Sequence, residues 1–145
     1  MFDERSISIT TAPNEDPTRI PKLISSHFQD VFNQRDSQAR NLAMKDLYHE
    51  SIVWFKPDSD GGGTVVRGTD AMNAALQEEM DIYPGFSLAY DGHLSISQNL
   101  VAAHWDLGPP TMPDLIKGAH YLLIENEKVK ILWTSHLKMP PSPSN

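Results

Sequence analysis

The residues best suited to chemistry are two histidines in a predicted β-hairpin. The segment GAHYLLIENEKVKILWTSH, residues 118–136, has two largely apolar runs joined by a polar turn, with His120 near its start and His136 at its end. Imidazole titrates near neutral pH and can act as a base, an acid or a hydrogen-bond donor. Side chains alternate across a strand, so His120 shares a face with Leu122, and Thr134 shares one with His136. The hairpin can therefore bring His120 near the level of Thr134 or His136, as part of a functional site; the alternative is a pair of core histidines satisfied by their neighbours.

Lys56, His104 and Asp106 are further candidates for a catalytic site. A desolvated lysine can act as a base or an anion clamp, and a solvated loop lysine is the alternative for Lys56. His104 and Asp106 form an H-x-D pair on one strand face. If that face points inward, the pair is a base with its orienting carboxylate; if it points outward, the pair is a dimer contact or a solvated surface. The histidine spacing matches no short metal-binding motif, so no metal site is predicted.

Charge and composition exclude several classes of function. The chain has 145 residues, the size of one domain, and a formal net charge of −7. An acidic surface repels nucleic acid and anionic membranes, so neither is expected as a partner. There is no cysteine, which rules out disulfides, thiolate catalysis and cysteine-ligated metals. The sequence has no apolar signal segment and no apolar run long enough to cross a bilayer, so we expect a cytoplasmic protein.

Apolar residues at helical spacing predict three helices. The first follows Pro21 and has His27 beside its apolar stripe, which consists of Ile24, Phe28, Val31 and Phe32. The second is capped by Asp36 or Ser37. The third is capped by Thr69 and directs three residues inward: Met72, Leu76 and Met80.

Runs of β-branched and aromatic residues predict six strands. Two short ones, SIVWF and TVVRG, flank the loop KPDSDGGG and precede the third helix. Four longer ones follow it: FSLAYDGHLSIS, LVAAHWDL, IKGAHYLLIE and KVKILWTSHL. Helices segregated against a mostly antiparallel sheet form an α+β domain. We predict that this domain spans residues 18–138, between a flexible N-terminal arm at 1–17 and a flexible C-terminal tail at 139–145.

Four segments carry a resemblance to a known superfamily. They are FNQRD at the end of the first helix, LYHESIVWFKP leading into the first strand, VVRGTDAM leading into the third helix, and the final hairpin KGAHYLLIENEKVKILWTSH. Over nearly all of residues 18–138, the chain resembles SnoaL-like members of the NTF2-like (nuclear transport factor 2-like) superfamily. The resemblance implies three N-terminal helices packed on a curved, mostly antiparallel sheet, forming a cone around an apolar pocket. It also implies acid–base chemistry on a small apolar molecule without a cofactor, and a homodimer formed through the outer face of the sheet.

Ketosteroid isomerases of this superfamily have three functional positions that can be placed on the chain. Their base carboxylate corresponds to Lys56, just before Pro57. Their oxyanion-binding tyrosine, in the first helix, corresponds to Phe28. Their second oxyanion donor, a protonated carboxylic acid, corresponds to His120. Lys56 and His120 differ in chemistry from the carboxyl groups at those two positions, and Phe28 lacks the hydroxyl of the tyrosine. The resemblance therefore argues against ketosteroid-isomerase activity itself.

Scytalone dehydratase, another member of the superfamily, gives a similar result. Its Tyr–Asp pair in the first helix corresponds to Phe32 and Asn33, and one of its water-polarising histidines corresponds to Trp105. The mechanism of that enzyme is therefore not intact in this sequence. Both comparisons nevertheless imply that Trp105, His120 and His136 point to the pocket side of their strands.

The resemblance and the hairpin together predict a cofactor-independent isomerase, cyclase or dehydratase acting on a small, apolar, secondary-metabolite-like molecule. The predicted catalytic residues are His120, His136 and Lys56. The predicted substrate-binding wall is Trp105, Phe28, Phe32, Trp54, Tyr83, Leu122 and Thr134. Because Trp105 is expected to point inward, His104 and Asp106 are expected to face outward. The alternative is a non-catalytic small-molecule-binding or dimerisation module, since this fold supports both kinds of function.

Overall fold

The structure is a computed structural model that describes residues 18–57 and 62–138. The predicted arm at 1–17 and the predicted tail at 139–145 lie outside the described residues, as do residues 58–61 of the KPDSDGGG loop. The helices and strands follow the predicted order, with two helices, two strands, a third helix and a final run of four strands. No helix in the described part of the chain is long and apolar enough to span a membrane. The α+β prediction is therefore confirmed.

The helices form one layer of the molecule. Three are described: α1, Ile20–Ser26; α2, Ser37–Leu47; and α3, Thr69–Ile82. After Ser26, α1 continues directly into a π-helical segment, His27–Phe32. The backbone N–H of Asn33 donates to the carbonyl oxygen of Phe28 at 2.9 Å, which is the five-residue spacing of a π-helical turn. The predicted first helix is therefore present, but its second half has a wider turn than an α-helix.

Two helix starts can be compared with their predicted caps. Asp36 caps α2, because its side chain accepts a hydrogen bond from the backbone N–H of Gln38. The prediction that Thr69 caps α3 is wrong, since Thr69 is the first helical residue and Gly68 occupies the capping position. Gly68 has a φ of 89°. Glycine adopts this left-handed conformation without the steric cost that a threonine would meet.

The strands form a single mixed sheet. They are β1, Tyr48–Pro57; β2, Gly63–Arg67; β3, Ser87–Ser97; β4, Leu100–Gly108; β5, Ile116–Glu125; and β6, Lys128–Lys138. Their order in the sheet is β2-β1-β6-β5-β4-β3. The β1–β6 pair is parallel, and the other four pairs are antiparallel. Register shifts interrupt several of these pairings, and such bulges bend and twist a sheet.

The core lies between the helices and the inner face of the sheet. One transverse row on this face is fully buried and consists of Trp54, Leu132, Leu122 and Val101. The helices cover this face with buried side chains of their own, including Ile24, Phe28, Val31, Met44, Met72 and Leu76. Burial of each large apolar side chain contributes about 1.5–3 kcal/mol. This packing fixes the strand register, because a slip by one residue would turn the buried row to solvent.

Candidate functional site

A cavity of about 520 Å³ opens between the inner face of the sheet and the helices. Most of its wall is apolar or aromatic: Phe32, Trp54, Pro57, Leu76, Met80, Ile82, Tyr83, Phe86, Leu88, Trp105, Leu107 and Ile116. The polar side chains of the wall are Arg35, Lys56, Glu79, His120, Thr134 and His136. An apolar cavity of this size with a few polar groups is typical of sites for small organic molecules.

The π-helical segment brings a third histidine to the rear of this site. His27, Phe28 and Val31 are all buried in that segment. All three positions therefore face the interior of the molecule. His27 thereby contacts Phe32 on its own segment, at 4.8 Å between ring centroids. It also contacts His120 on β5, at 5.0 Å between centroids.

Three buried polar side chains form a hydrogen-bonded chain behind the cavity wall. The hydroxyl of Tyr48 is 2.5 Å from Nδ1 of His27. Nε2 of His27 is 2.8 Å from Nδ1 of His120. Each of the three residues is at most 1% exposed to solvent. Tyr48 caps the C-terminal end of α2 and is the first residue of β1, and its ring is buried in the core.

Burial determines the ionisation of this chain. It lowers the pKa of His27 to about 3. Burial also lowers the pKa of His120 well below its ordinary value, and the nearby His27 and His136 lower it further. The pKa of the Tyr48 hydroxyl is raised well above its ordinary value by the same desolvation. All three side chains are therefore neutral at pH 7, because a charged form without a compensating partner is unfavourable in an apolar interior.

His120 packs against aromatic rings, and one of its nitrogens is left for the cavity. Phe28 stacks on its ring at 5.4 Å between centroids, and Trp105 meets it edge-on at 5.7 Å. Nδ1 is occupied by His27. Nε2 is therefore the ring nitrogen that is available to a ligand. Although His120 is only 1% exposed in total, it belongs to the cavity wall.

His136 and Lys56 are more exposed to solvent than His120, which places them nearer the open end of the cavity, its mouth. His136 is opposite Gly118 on the neighbouring strand, and the indole of Trp105 meets its ring edge-on at 6.0 Å. Desolvation lowers the pKa of His136, and the nearby Glu79 partly opposes this shift. Nζ of Lys56 is 3.1 Å from Oε1 of Glu79. It also lies 5.9 Å from the centroid of the Trp54 ring.

Most of the predicted site residues line the cavity. All three predicted catalytic residues do so, together with five predicted wall residues: Trp105, Phe32, Trp54, Tyr83 and Thr134. The other two predicted wall residues, Phe28 and Leu122, are in the core and do not line it. Phe28 supports the ring of His120 from behind. Leu122 shares the inner face with His120 but lies one row deeper, where Leu132 and Val101 flank it.

Sequence reasoning missed His27 and Tyr48. His27 was expected only beside the apolar stripe of the first helix, and Tyr48 was expected to precede the first strand. The local signal for either residue is weak, because a single histidine or tyrosine beside an apolar run is common in cores. Their pairing with His120 joins residues 93 positions apart in the case of His27, and no local pattern encodes such a contact.

The H-x-D pair lies outside the cavity. His104 and Asp106 are on the face of β4 opposite to Trp105, as expected from the alternation of the strand. Nζ of Lys117 donates to Oδ1 of Asp106 at 2.7 Å. The ring of His104 neighbours that of His93, with 5.9 Å between centroids. The inward, catalytic interpretation of this pair is therefore excluded. Within residues 18–57 and 62–138, no group of three acidic or histidine side chains could hold a metal ion.

Solved structures of SnoaL-like proteins resemble this structure. A candidate isomerase of the SnoaL-like family from Agrobacterium tumefaciens str. C58 matches with a TM-score of 0.74 and 14% identity, over 83% of this chain and 99% of the other. A candidate SnoaL-like polyketide cyclase from Jannaschia sp. CCS1 matches with a TM-score of 0.66 and 9% identity, over 86% and 90%. A candidate ketosteroid isomerase from Kribbella flavida DSM 17836 matches with a TM-score of 0.62 and 16% identity, over 88% and 84%. The chain has the SnoaL-like, NTF2-like fold.

The fold implied by the resemblance of the four sequence segments is confirmed, and the confirmation comes from structure alone. No protein-family model matches the sequence, and no curated protein matches it either. The TM-scores of 0.62–0.74 support a shared SnoaL-like fold. The identities are only 9–16%, and this fold supports many unrelated activities, so the match does not identify the reaction. The reaction has to be argued from the cavity itself.

Proposed function

We propose that the protein is a cofactor-independent acid–base enzyme, an isomerase, cyclase or dehydratase, acting on a small and largely apolar molecule of the secondary-metabolite type. The observation that carries this proposal is His120. It is a buried, neutral imidazole with one nitrogen held by His27 and the other available to an apolar cavity. An imidazole held in one orientation inside a desolvated cavity is suited to act on a substrate oxygen.

The other polar groups of the wall have distinct parts in this proposal. His136 is neutral at pH 7 because desolvation lowers its pKa, so it has a lone pair that can accept a proton from substrate. Lys56 is paired with Glu79, which suits it to orienting a polar end of the substrate at the mouth. The aromatic wall excludes water and strengthens each polar contact inside the cavity.

The structural neighbours support an enzyme over the alternative of a non-catalytic binding module. Two of them are candidate isomerases and one is a candidate polyketide cyclase. Those descriptions belong to other chains and suggest a class of reaction without naming a substrate for this one. A binding module would need a pocket but would have no need for a buried imidazole with a nitrogen left open to it.

The experiment that tests this function combines a substrate panel with one matched pair of variants. Purified protein is incubated with polycyclic and alicyclic ketones, hydroxyketones and their unsaturated isomers, and products are detected by mass spectrometry and NMR. For any compound converted, we expect His120→Ala to lower turnover by roughly 10²–10⁴-fold. The control is His93→Ala, a change at an exposed histidine on the outer face, which should leave turnover unchanged. Full turnover in folded His120→Ala, or compounds that bind without any conversion, would contradict the proposal.

We also propose that the protein is a homodimer formed through the outer face of the sheet. The strand register gives this face two adjacent apolar rows, here called the outer rows. The first is Val65, Phe55, Trp133, Tyr121 and Ala102; the second is Val53, Ile131, Leu123 and Leu100. Phe55 and Trp133 stack at 5.5 Å between ring centroids. A contiguous apolar surface of this kind on a sheet favours burial against a second copy.

A further inference from the structure

The direction of the hydrogen bonds among Tyr48, His27 and His120 decides what His120 offers to the cavity. Each neutral imidazole has one N–H donor and one acceptor nitrogen. If His27 donates to Nδ1 of His120, then His120 carries its proton on Nε2 and presents a donor to the cavity. If the same bond runs in the other direction, Nε2 of His120 presents a lone pair and can act as a base. The 2.8 Å distance between the rings is compatible with both directions.

Tyr48 removes this ambiguity. Its side chain is 1% exposed, so bulk water does not reach it. Among the residues that the structure describes, the hydroxyl has one hydrogen-bond partner, Nδ1 of His27. A buried O–H without an acceptor is unfavourable, so Tyr48 donates to His27. Neutral His27 must then carry its own proton on Nε2, and it donates that proton to Nδ1 of His120. The opposite direction would leave the hydroxyl proton of Tyr48 without an acceptor.

We propose that Tyr48, acting through His27, holds His120 with its proton on Nε2, so that the cavity receives a hydrogen-bond donor from this residue rather than a base. The inference rests on the proposed function and deepens it. Tyr48 and His27 are positioning residues, since neither belongs to the cavity wall. It follows that a substrate presents an acceptor oxygen to His120, either a carbonyl oxygen or an oxygen that gains negative charge, and that the base is another group of the wall.

The chain also limits His120 to donating a hydrogen bond. Complete transfer of its proton to a substrate would require His27 to give its proton to His120, and Tyr48 to give its proton to His27. The final product would be a buried phenolate, and desolvation raises the pKa of Tyr48 well above its usual value. The chain is therefore suited to orienting a donor and poorly suited to relaying a proton out of Tyr48.

The polar neighbours of His120 on the wall are also donors. Thr134 lies opposite His120 in the strand register, and its Oγ1 accepts a hydrogen bond from Nε1 of Trp54 at 2.9 Å. The hydroxyl proton of Thr134 therefore points away from Trp54. Nε1 of Trp105 is buried and has no hydrogen-bond partner among the described residues. The donors of His120 and Thr134 favour a ligand that brings an acceptor to this part of the wall. Elsewhere on the wall, Glu79 and neutral His136 provide acceptors.

The decisive measurement is the tautomer of each buried histidine in the full-length protein. Long-range ¹H–¹⁵N correlation spectra at pH 7.5 distinguish protonated from unprotonated ring nitrogens, and the signals are assigned by comparison with His27→Gln and His120→Gln. We expect His27 and His120 both to be protonated on Nε2. Protonation of His120 on Nδ1 would overturn the inference. This readout needs no substrate, so it is independent of whether a reaction has been found.

A matched pair of tyrosine variants tests the role of Tyr48. In Tyr48→Phe, either direction leaves Nδ1 of His27 unpaired, so we expect His120 to become a mixture of both tautomers. The control is Tyr90→Phe, since Tyr90 stacks on Phe28 but makes no hydrogen bond to either histidine in the described structure. Retention of the pure Nε2 tautomer in folded Tyr48→Phe would overturn the positioning role. If Tyr48→Phe does not fold, the wild-type tautomer decides. The predicted tautomer combined with unimpaired turnover in His120→Ala would overturn the proposed function and leave this inference standing.

Discussion

His27 and His120 are buried residues of the site that would gain charge near neutral pH if they were exposed. In the folded protein, burial lowers the pKa of both, so both stay neutral at pH 7 and neither binds the second proton that would give an imidazolium. In the unfolded chain, each would titrate near its ordinary value of about 6.5. The unfolded state therefore binds more protons than the folded state below that pH, and acid favours unfolding.

The first prediction is a loss of stability as the pH falls from 7.5 to 5.5. Each of the two histidines should cost about 1.4 kcal/mol of unfolding free energy over this range. Carboxylates contribute little there, because their ordinary pKa values lie near 4. Urea denaturation at several pH values measures the loss.

Two glutamine variants serve as the controls for the pH prediction. His27→Gln removes one of the two buried imidazoles and should lower the pH slope by about half, whatever it does to stability at pH 7.5. The same change at His93, whose side chain is 79% exposed, should leave the slope unchanged. A flat dependence between pH 7.5 and 5.5 in the wild type would show that the buried imidazoles are not held neutral by the fold.

Elements were easier to predict than the contacts between them. Alternating apolar residues identified all four strands of the final run, and the turn residues placed their ends within one or two positions. The start of β1 at Tyr48 was not visible, because α2 passes into this strand without an intervening turn. The widening of α1 at His27 was also hidden, since a π-helical segment has the same residue types as an α-helix. These two features produce the chain behind His120, so the site was only partly predictable.

At the scale of elements, Arg40 joins α2 to α3 through a fully buried guanidinium. It donates to Oδ1 of Asn73 and Oε1 of Gln77 on α3, and to the carbonyl oxygen of Gln34. It also contacts Sδ of Met80, which lines the cavity. Burial lowers the pKa of Arg40, and neutral oxygens rather than a contacting carboxylate satisfy its donors.

The second prediction is that Arg40→Ala lowers the unfolding free energy by about 3 kcal/mol or more, because a buried charged side chain is lost and several part-buried oxygens lose their donors at once. Arg40→Lys should recover part of this loss, since an ammonium retains the charge but not the planar fork. Chemical denaturation measures both variants. The comparison is Arg67→Ala, a change at an exposed arginine of β2, which should shift stability by about 0.5 kcal/mol or less. Equal effects at the two positions would contradict the assigned role of Arg40.

A close approach between β4 and β5 gives the third prediction. A Cβ atom at Gly118 would overlap the benzo ring of Trp105 and the carbonyl oxygen of Ser135. Gly118→Ala should therefore displace the indole from its place between His120 and His136. It should also cost about 1–3 kcal/mol of stability, as overpacking usually does. Near-ultraviolet circular dichroism reports the indole environment, and denaturation reports the stability.

Gly63→Ala is the matched control for that prediction. A Cβ atom there would meet the carbonyl oxygen of Lys56 at 3.5 Å, which is an ordinary contact. Both glycines lie in strands, so the loss of backbone freedom in the unfolded chain is the same in the two variants. If the near-ultraviolet signal of Gly118→Ala matched that of the wild type, the structure would accommodate the added methyl group without displacing the Trp105 indole.

At the scale of the whole molecule, two properties bear on self-association. The outer rows expose apolar surface on one face, while the helices cover the other face of the sheet. The chain also has a formal net charge of −7, so two copies repel each other at long range. Burial of apolar surface must exceed this repulsion for a dimer to form. Because salt screens the repulsion and leaves apolar burial intact, association should strengthen as ionic strength rises.

The fourth prediction identifies the face through which the dimer forms. Light scattering after gel filtration should give about twice the 16.3 kDa chain mass. Trp133→Glu should give a monomer, because it puts an unpaired carboxylate at the centre of the outer rows. Leu42→Glu is the control: Leu42 is 66% exposed, but it lies on α2 in the helical layer, and its substitution should leave the dimer intact. A dimer that survives Trp133→Glu and is lost in Leu42→Glu would place the interface on the helices. A dimer that dissociates as salt is raised would show that charge contacts rather than the apolar outer rows hold it together.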